Sequence, residues 1–243
     1  MSSAMEMEYP HPYVPTDLRL PGYVPNFLTQ TEILVPYIAS SFVVASLVWF
    51  FSVSSSPPEI TIIGPRRPIL LGRISKISKT DRILMCWWVF TGLTHIILEG
   101  YFVFSPEFYK KKVPCYLAEV WKEYSKGDSR YAGRDTAIVT VEGVTSVLEG
   151  PASLVAMYAI AAGKPYSHTL QLTICIGQLY GCIIYFVASF LDGDNFAKNP
   201  FYYWVYYVFA NSIWVVIPTM IVIRSWRKIS KAFLGENTKR KAH

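Results

Sequence analysis

Two ionisable side chains stand four residues apart inside a stretch apolar enough to cross a membrane. They are His95 and Glu99, in the run Leu93-Thr94-His95-Ile96-Ile97-Leu98-Glu99-Gly100-Tyr101, and the apolar stretch covers about 83–104. An ionised side chain at the bilayer centre costs about 2.5 kcal/mol or more, and polar residues there are usually functional. The i, i+4 spacing puts His95 and Glu99 on one helix face, within reach of each other. A later apolar stretch adds Glu142 and Glu149. The chemistry open to such a set is proton transfer or the holding of a cation.

The elements that must position these groups are membrane helices. The chain is 52% hydrophobic and 16% charged, against about 25% charged in soluble domains. Five stretches are long enough to span, given about 20 residues per crossing: 33–53, 83–104, 136–162, 168–190 and 203–223. The expected fold is therefore an all-α, five-helix transmembrane bundle. Gly150-Pro151 interrupts the third stretch, so a kink is expected there. The Pro-rich segment 1–30 lacks a basic start followed by an apolar run and does not read as a cleaved signal peptide. Cys86, Cys175 and Cys182 fall in apolar stretches and Cys115 in a loop, with no CxxC and no disulfide framework.

Five crossings place the chain ends on opposite sides. With the C-terminus inside, 14 of the 23 Lys and Arg residues face inward and 9 outward, the bias that fixes orientation. The reading divides the chain into an outer segment 1–32, a catalytic bundle 33–223 and a basic cytosolic tail 224–243. The outer loop 105–135 also carries Glu107, Glu119, Glu123, Asp128 and Asp135, so it is near neutral. The net charge of +6 then follows from topology. There is no nucleic-acid motif, and no nucleic-acid partner is expected. Lys239 and Lys241, fifth and third from the end, have the spacing of a dilysine retrieval signal; a plain topology anchor would look the same.

Rise per residue fixes relative depth. His95 and Glu99 on the second stretch, Glu142 and Thr145 on the third, and Asn211 and Trp214 on the fifth all fall about 7–17 Å below one membrane surface. That coincidence points to one polar pocket among three helices. Glu142, Thr145, Ser146 and Glu149 follow i, i+3, i+4, i+7, a polar stripe that a lipid-facing helix would lack. Interhelical hydrogen bonding accounts for such residues in many bundles, and for Ser146 it is the simpler account. No HExxH, GxSxG or GxxxxGK[ST] motif occurs. Metal-free acid–base chemistry, or ligand binding, in a membrane pocket remains.

Several segments carry a resemblance. They are His11-Pro12-Tyr13, Gly92-Leu93-Thr94-His95, Glu99-Gly100-Tyr101-Phe102-Val103, and 117–131 with its run WKEYSKGDSRY. Gly150-Pro151, Gln178-Leu179-Tyr180-Gly181, and Tyr202-Tyr203-Trp204 through Asn211 and Trp214 complete the set. In these the chain resembles the emopamil-binding protein family of sterol Δ8–Δ7 isomerases, nearest its plant members, over about 11–233. The resemblance implies five transmembrane helices in the endoplasmic reticulum membrane, often as a homodimer. It implies movement of the sterol B-ring double bond from C8–C9 to C7–C8, with no redox cofactor or metal. Its activity residues fall on His95, Glu99, Glu142, Thr145, Asn211 and Trp214. Glu149 stands where animal members have Trp, and Cys182 where they have Asp.

On this reading His95 donates the proton with Glu99 as its partner, and Glu142 is base and counter-charge; the donor and base labels can be exchanged. Thr145 and Asn211 are expected to hold Glu142, and Trp214 to face the cation. The partners implied are a sterol substrate, membrane lipid, and cationic amphiphilic amines as inhibitors that imitate the intermediate. The competing reading is a non-catalytic sterol- or amine-binding membrane protein, as in the sigma-2 receptor branch of the family.

Overall fold

A computed structural model describes residues 10–54 and 77–241. Arg66, Arg67, Arg73 and Lys76, counted above toward the inner side, and the terminal pair 242–243 lie outside the described residues. The described chain is helical, and five helices are long and apolar enough to cross a membrane. These are α1 (Gln30–Ser54), α2 (Lys79–Phe104), α4 (Thr136–Ala161), α5 (Ser167–Leu191) and α6 (Pro200–Gly235). A short helix, α3 (Tyr116–Tyr124), lies between the second and third. The protein is thus a multi-pass membrane protein. Exposed Phe42, Phe50, Ile183, Phe190 and Met220 form its lipid-facing surface. The backbone of the last span stays helical through 224 and on to Lys241.

Local chemistry sets the helix ends. Ser78 caps α2 by accepting from the Asp81 N–H, and Asp135 caps α4 by accepting from Ala137 and Ile138. Inside the bundle, α2 packs on α4 and α5 on α6. The α2–α4 crossing is built on Gly92 and Gly150. A Cβ on Gly150 would lie 2.7 Å from Ile96 Cγ1 and 3.2 Å from His95 Cβ. Only hydrogen at these positions lets the two backbones come this close.

The expected kink at Gly150-Pro151 takes the form of a π-helical turn, Thr145–Glu149, just before it. Pro151 has no N–H to give the carbonyl one α-turn back. The chain widens, and the Gly150 N–H reaches Thr145 O instead. Thr94–Glu99 in α2 and Tyr203–Phe209 in α6 form two further π turns. Each extra residue rotates the helix beyond it relative to a 3.6-residue repeat, and such turns often mark functional sites.

Residues 105–135, near neutral in sum, fold into a cap in which the charges at 119–130 are paired and mostly buried, while Glu107, Lys111 and Lys112 are exposed. Lys122 Nζ meets Glu119 Oε1 at 2.9 Å with both side chains fully buried. Arg130 holds Asp128 through Nε at 3.0 Å and Nη2 at 2.7 Å, between the rings of Tyr185 and Phe196. Lys126 pairs with Glu123. The N-terminal segment fastens the cap from outside. Phe27 and Leu28 N–H groups donate to Glu119 Oε2, and the Tyr13 hydroxyl donates to Lys122 O. Beneath, Phe102, Phe108, Trp121, Tyr131, Tyr185 and Tyr207 form an aromatic layer joining cap to bundle.

Candidate functional site

A cavity of about 510 Å³ opens under this cap, within the range of small-molecule sites. His95, Glu99, Glu142, Thr145, Asn211 and Trp214 all line it, with apolar groups of α1 and α6 such as Leu34, Ile38, Phe209 and Ile213. The six residues gathered by depth in the sequence therefore share one wall system.

His95 is 2% exposed. Its Nδ1 lies 2.7 Å from both Glu99 oxygens, and its Nε2 lies 3.1 Å from Thr91 Oγ1 and from Gln178 Nε2. An amide nitrogen donates only, so His95 Nε2 accepts and Nδ1–H points to Glu99. The Trp214 indole N–H donates to Thr91 Oγ1 at 3.0 Å. Glu99 in turn accepts from the Thr145 hydroxyl. The line Trp214–Thr91–His95–Glu99–Thr145 thus runs through α6, α2 and α4 without a break. Gln178 Oε1 is buried without a partner, so rotating this amide by half a turn would offer Nε2 an acceptor once it carries a proton.

Glu142 is 8% exposed and accepts from the Tyr131 hydroxyl at 2.5 Å. Burial, and next the charge of Glu142, push the Tyr131 hydroxyl well above its ordinary range, so it stays a donor. Asn211 donates to Tyr207 O at 2.7 Å and to the Tyr124 hydroxyl at 3.1 Å. The expectation that Thr145 and Asn211 hold Glu142 is met only in part: Thr145 Oγ1 reaches the Glu142 backbone carbonyl at 3.0 Å, and Asn211 turns to Tyr207 and Tyr124 instead. Thr145 serves Glu99, Asn211 ties α6 to the cap, and Tyr131 holds Glu142. Trp214 lines the cavity while its N–H is spent on Thr91.

Residues 116–225 match the family described as EBP: EXPERA (EXPanded EBP superfamily). A protein of Oryza sativa subsp. japonica named probable 3-beta-hydroxysteroid-Delta(8),Delta(7)-isomerase is 58% identical over 96% of this chain and 98% of its own. One of Arabidopsis thaliana with the same name is 56% identical over 93% and 92%. The 3-beta-hydroxysteroid-Delta(8),Delta(7)-isomerase of Rattus norvegicus is 35% identical over 91% and 90%. The chain belongs to the EXPanded EBP superfamily. The sequence reading did not assign Tyr131 and Gln178, which line the cavity, or Thr91, which bonds to His95 behind it. Tyr131 and Gln178 sit in quoted segments of the resemblance, but one is in the cap and the other on the fourth span. Only folding brings Tyr131 to Glu142 and Gln178 to His95. The polar stripe of α4 also divides. Ser146 bonds back to Gly143 O, and Glu149, past the extra residue of the π turn, points toward α5 rather than into the cavity.

Proposed function

We propose that this protein is a sterol isomerase that moves the B-ring double bond from C8–C9 to C7–C8, and that the cavity is its active site. The observation carrying this reading is the unbroken hydrogen-bonded line from His95 through Glu99 to Thr145, beside Glu142, on the wall of an apolar cavity.

The C8–C9 π electrons take a proton at C9, leaving a cation centred at C8. Loss of the proton at C7 returns the C7–H electron pair to form C7=C8. No electrons are gained or lost overall, so the step needs no redox partner. The His95–Glu99 pair supplies the proton. Both His95 nitrogens are engaged, so the pair acts as a unit, with Glu99 the member nearer the cavity. Glu142, held by Tyr131, is counter-charge and takes the C7 proton, although the geometry serves the reverse assignment equally. Exchange with solvent resets both groups after each cycle, so the proton delivered to C9 is solvent-derived. Trp214 and Asn211 bound the sterol, and a ring facing the cation contributes about 0.5–2 kcal/mol.

The same fit makes cationic amphiphilic amines inhibitors. We place the protein in the endoplasmic reticulum membrane, in lipid and as a homodimer. Segment 1–32 is then lumenal, 33–223 catalytic and 224–243 cytosolic. Purified protein given a Δ8-sterol and a chelator, without nicotinamide, should yield the Δ7 isomer. Amine binding without conversion of any Δ8-sterol would favour a binding protein instead.

A further inference from the structure

Glu149 is a buried acid that the mechanism above does not use. It ends the π turn of α4, next to the Gly150 crossing that brings this backbone against His95. It stands outside the cavity lining. Its Oε1 presses on Gly177 of α5, so closely that a Cβ at Gly177 would overlap it. Its Oε2 is buried with no hydrogen-bond partner.

The titratable groups around it are His95 and Glu99 from α2 and Cys175 and Cys182 from α5, with Glu142 on its own helix. Of these, His95 alone can carry positive charge. A carboxylate with an orphan oxygen in the bilayer core is costly unless a cation offsets it. His95 is bonded by Gln178, the residue after Gly177, so the carboxylate and the imidazole meet adjacent residues of α5, and at low dielectric charges so placed interact strongly.

We propose that Glu149 is a positioning residue of the isomerase: a third carboxyl behind the cavity wall that acts through His95, favouring its protonated form, and does not touch the sterol. Gly177 is the notch that admits it. The proposal rests on the reading of His95 as a proton carrier.

The test is the pH dependence of kcat for full-length protein in detergent, with a 3β-hydroxy Δ8-sterol. Glu149→Gln keeps the shape and removes the charge. The limb that reports loss of the donor's proton should move to lower pH by about one unit, the scale of one nearby opposite charge. On that limb kcat should fall about tenfold, while KM and the Kd of a cationic amine change less than about twofold. Gly177→Ala should shift the same limb in the same direction by displacing the carboxyl, and should add no further shift in the Glu149→Gln background. An unmoved profile, or a uniform loss of kcat at every pH, would overturn the proposal, as would a raised KM. His95→Ala, measured alongside, separates the two readings. If it retains turnover, the proton-carrier reading fails whatever Glu149 does.

Discussion

Tyr131→Phe removes one oxygen from the site and little else. The ring stays packed against Trp121, Phe102 and Tyr124, so the cap should fold as before. What disappears is the 2.5 Å donation to Glu142. A hydrogen bond to a charged group contributes about 1.5–3 kcal/mol. If Glu142 must be ionised and aimed at the cation in the transition state, that loss appears in the barrier. At 1.36 kcal/mol per decade, kcat should fall by about 10- to 150-fold. KM should stay near wild type, since Glu142 rather than Tyr131 faces the reacting carbons. Burial and the charge of Glu142 keep the hydroxyl protonated well beyond its ordinary range, so the Phe variant loses a donor and not a titrating group. Steady-state turnover of a Δ8-sterol, with thermal unfolding as a control for folding, decides it. A correctly folded Tyr131→Phe enzyme within twofold of wild-type kcat would refute the assignment of Tyr131 as the support of the base.

Three further outcomes follow from other parts of the fold. Glu142→Gln should abolish turnover and weaken cationic amines, whereas His95→Ala should cut turnover by about 10² or more and amine affinity far less; parallel losses in both would remove the division of roles. Lys122→Met strands the fully buried Glu119 carboxylate and should cost about 3–5 kcal/mol of stability, read as a lowered unfolding temperature in detergent; an unchanged transition would mean that the cap is not held by this pair. Gly150→Ala forces α2 and α4 apart at His95 and should cost about 1–3 kcal/mol together with activity, a result contradicted by wild-type stability and kcat.

The membrane class, the five spans and the polar pocket were legible because each depends on local composition and on helical rise. His95 and Glu99 meet as their spacing requires, even though the turn joining them is π-helical. The support of Glu142 was not legible. It comes from Tyr131, eleven residues before it but on the far side of a capped helix start. The charges at 119–130 read only as part of a near-neutral outer loop, because composition does not reveal which charges pair. Their burial depends on aromatic residues from α2, α5 and α6 packing beneath them. Periodicity also overreached at Glu149. The stripe assumes 3.6 residues per turn, and the π turn before Pro151 sends that side chain to α5 instead.

The central claim is that two separate groups in one cavity deliver and remove a proton. Turnover of a Δ8-sterol in deuterated water, without nicotinamide and with chelator present, tests it most directly. Deuterium should appear at C9 of the Δ7 product. A product whose C9 hydrogen came solely from C7 of the substrate would contradict it, because a single group would then have carried both transfers.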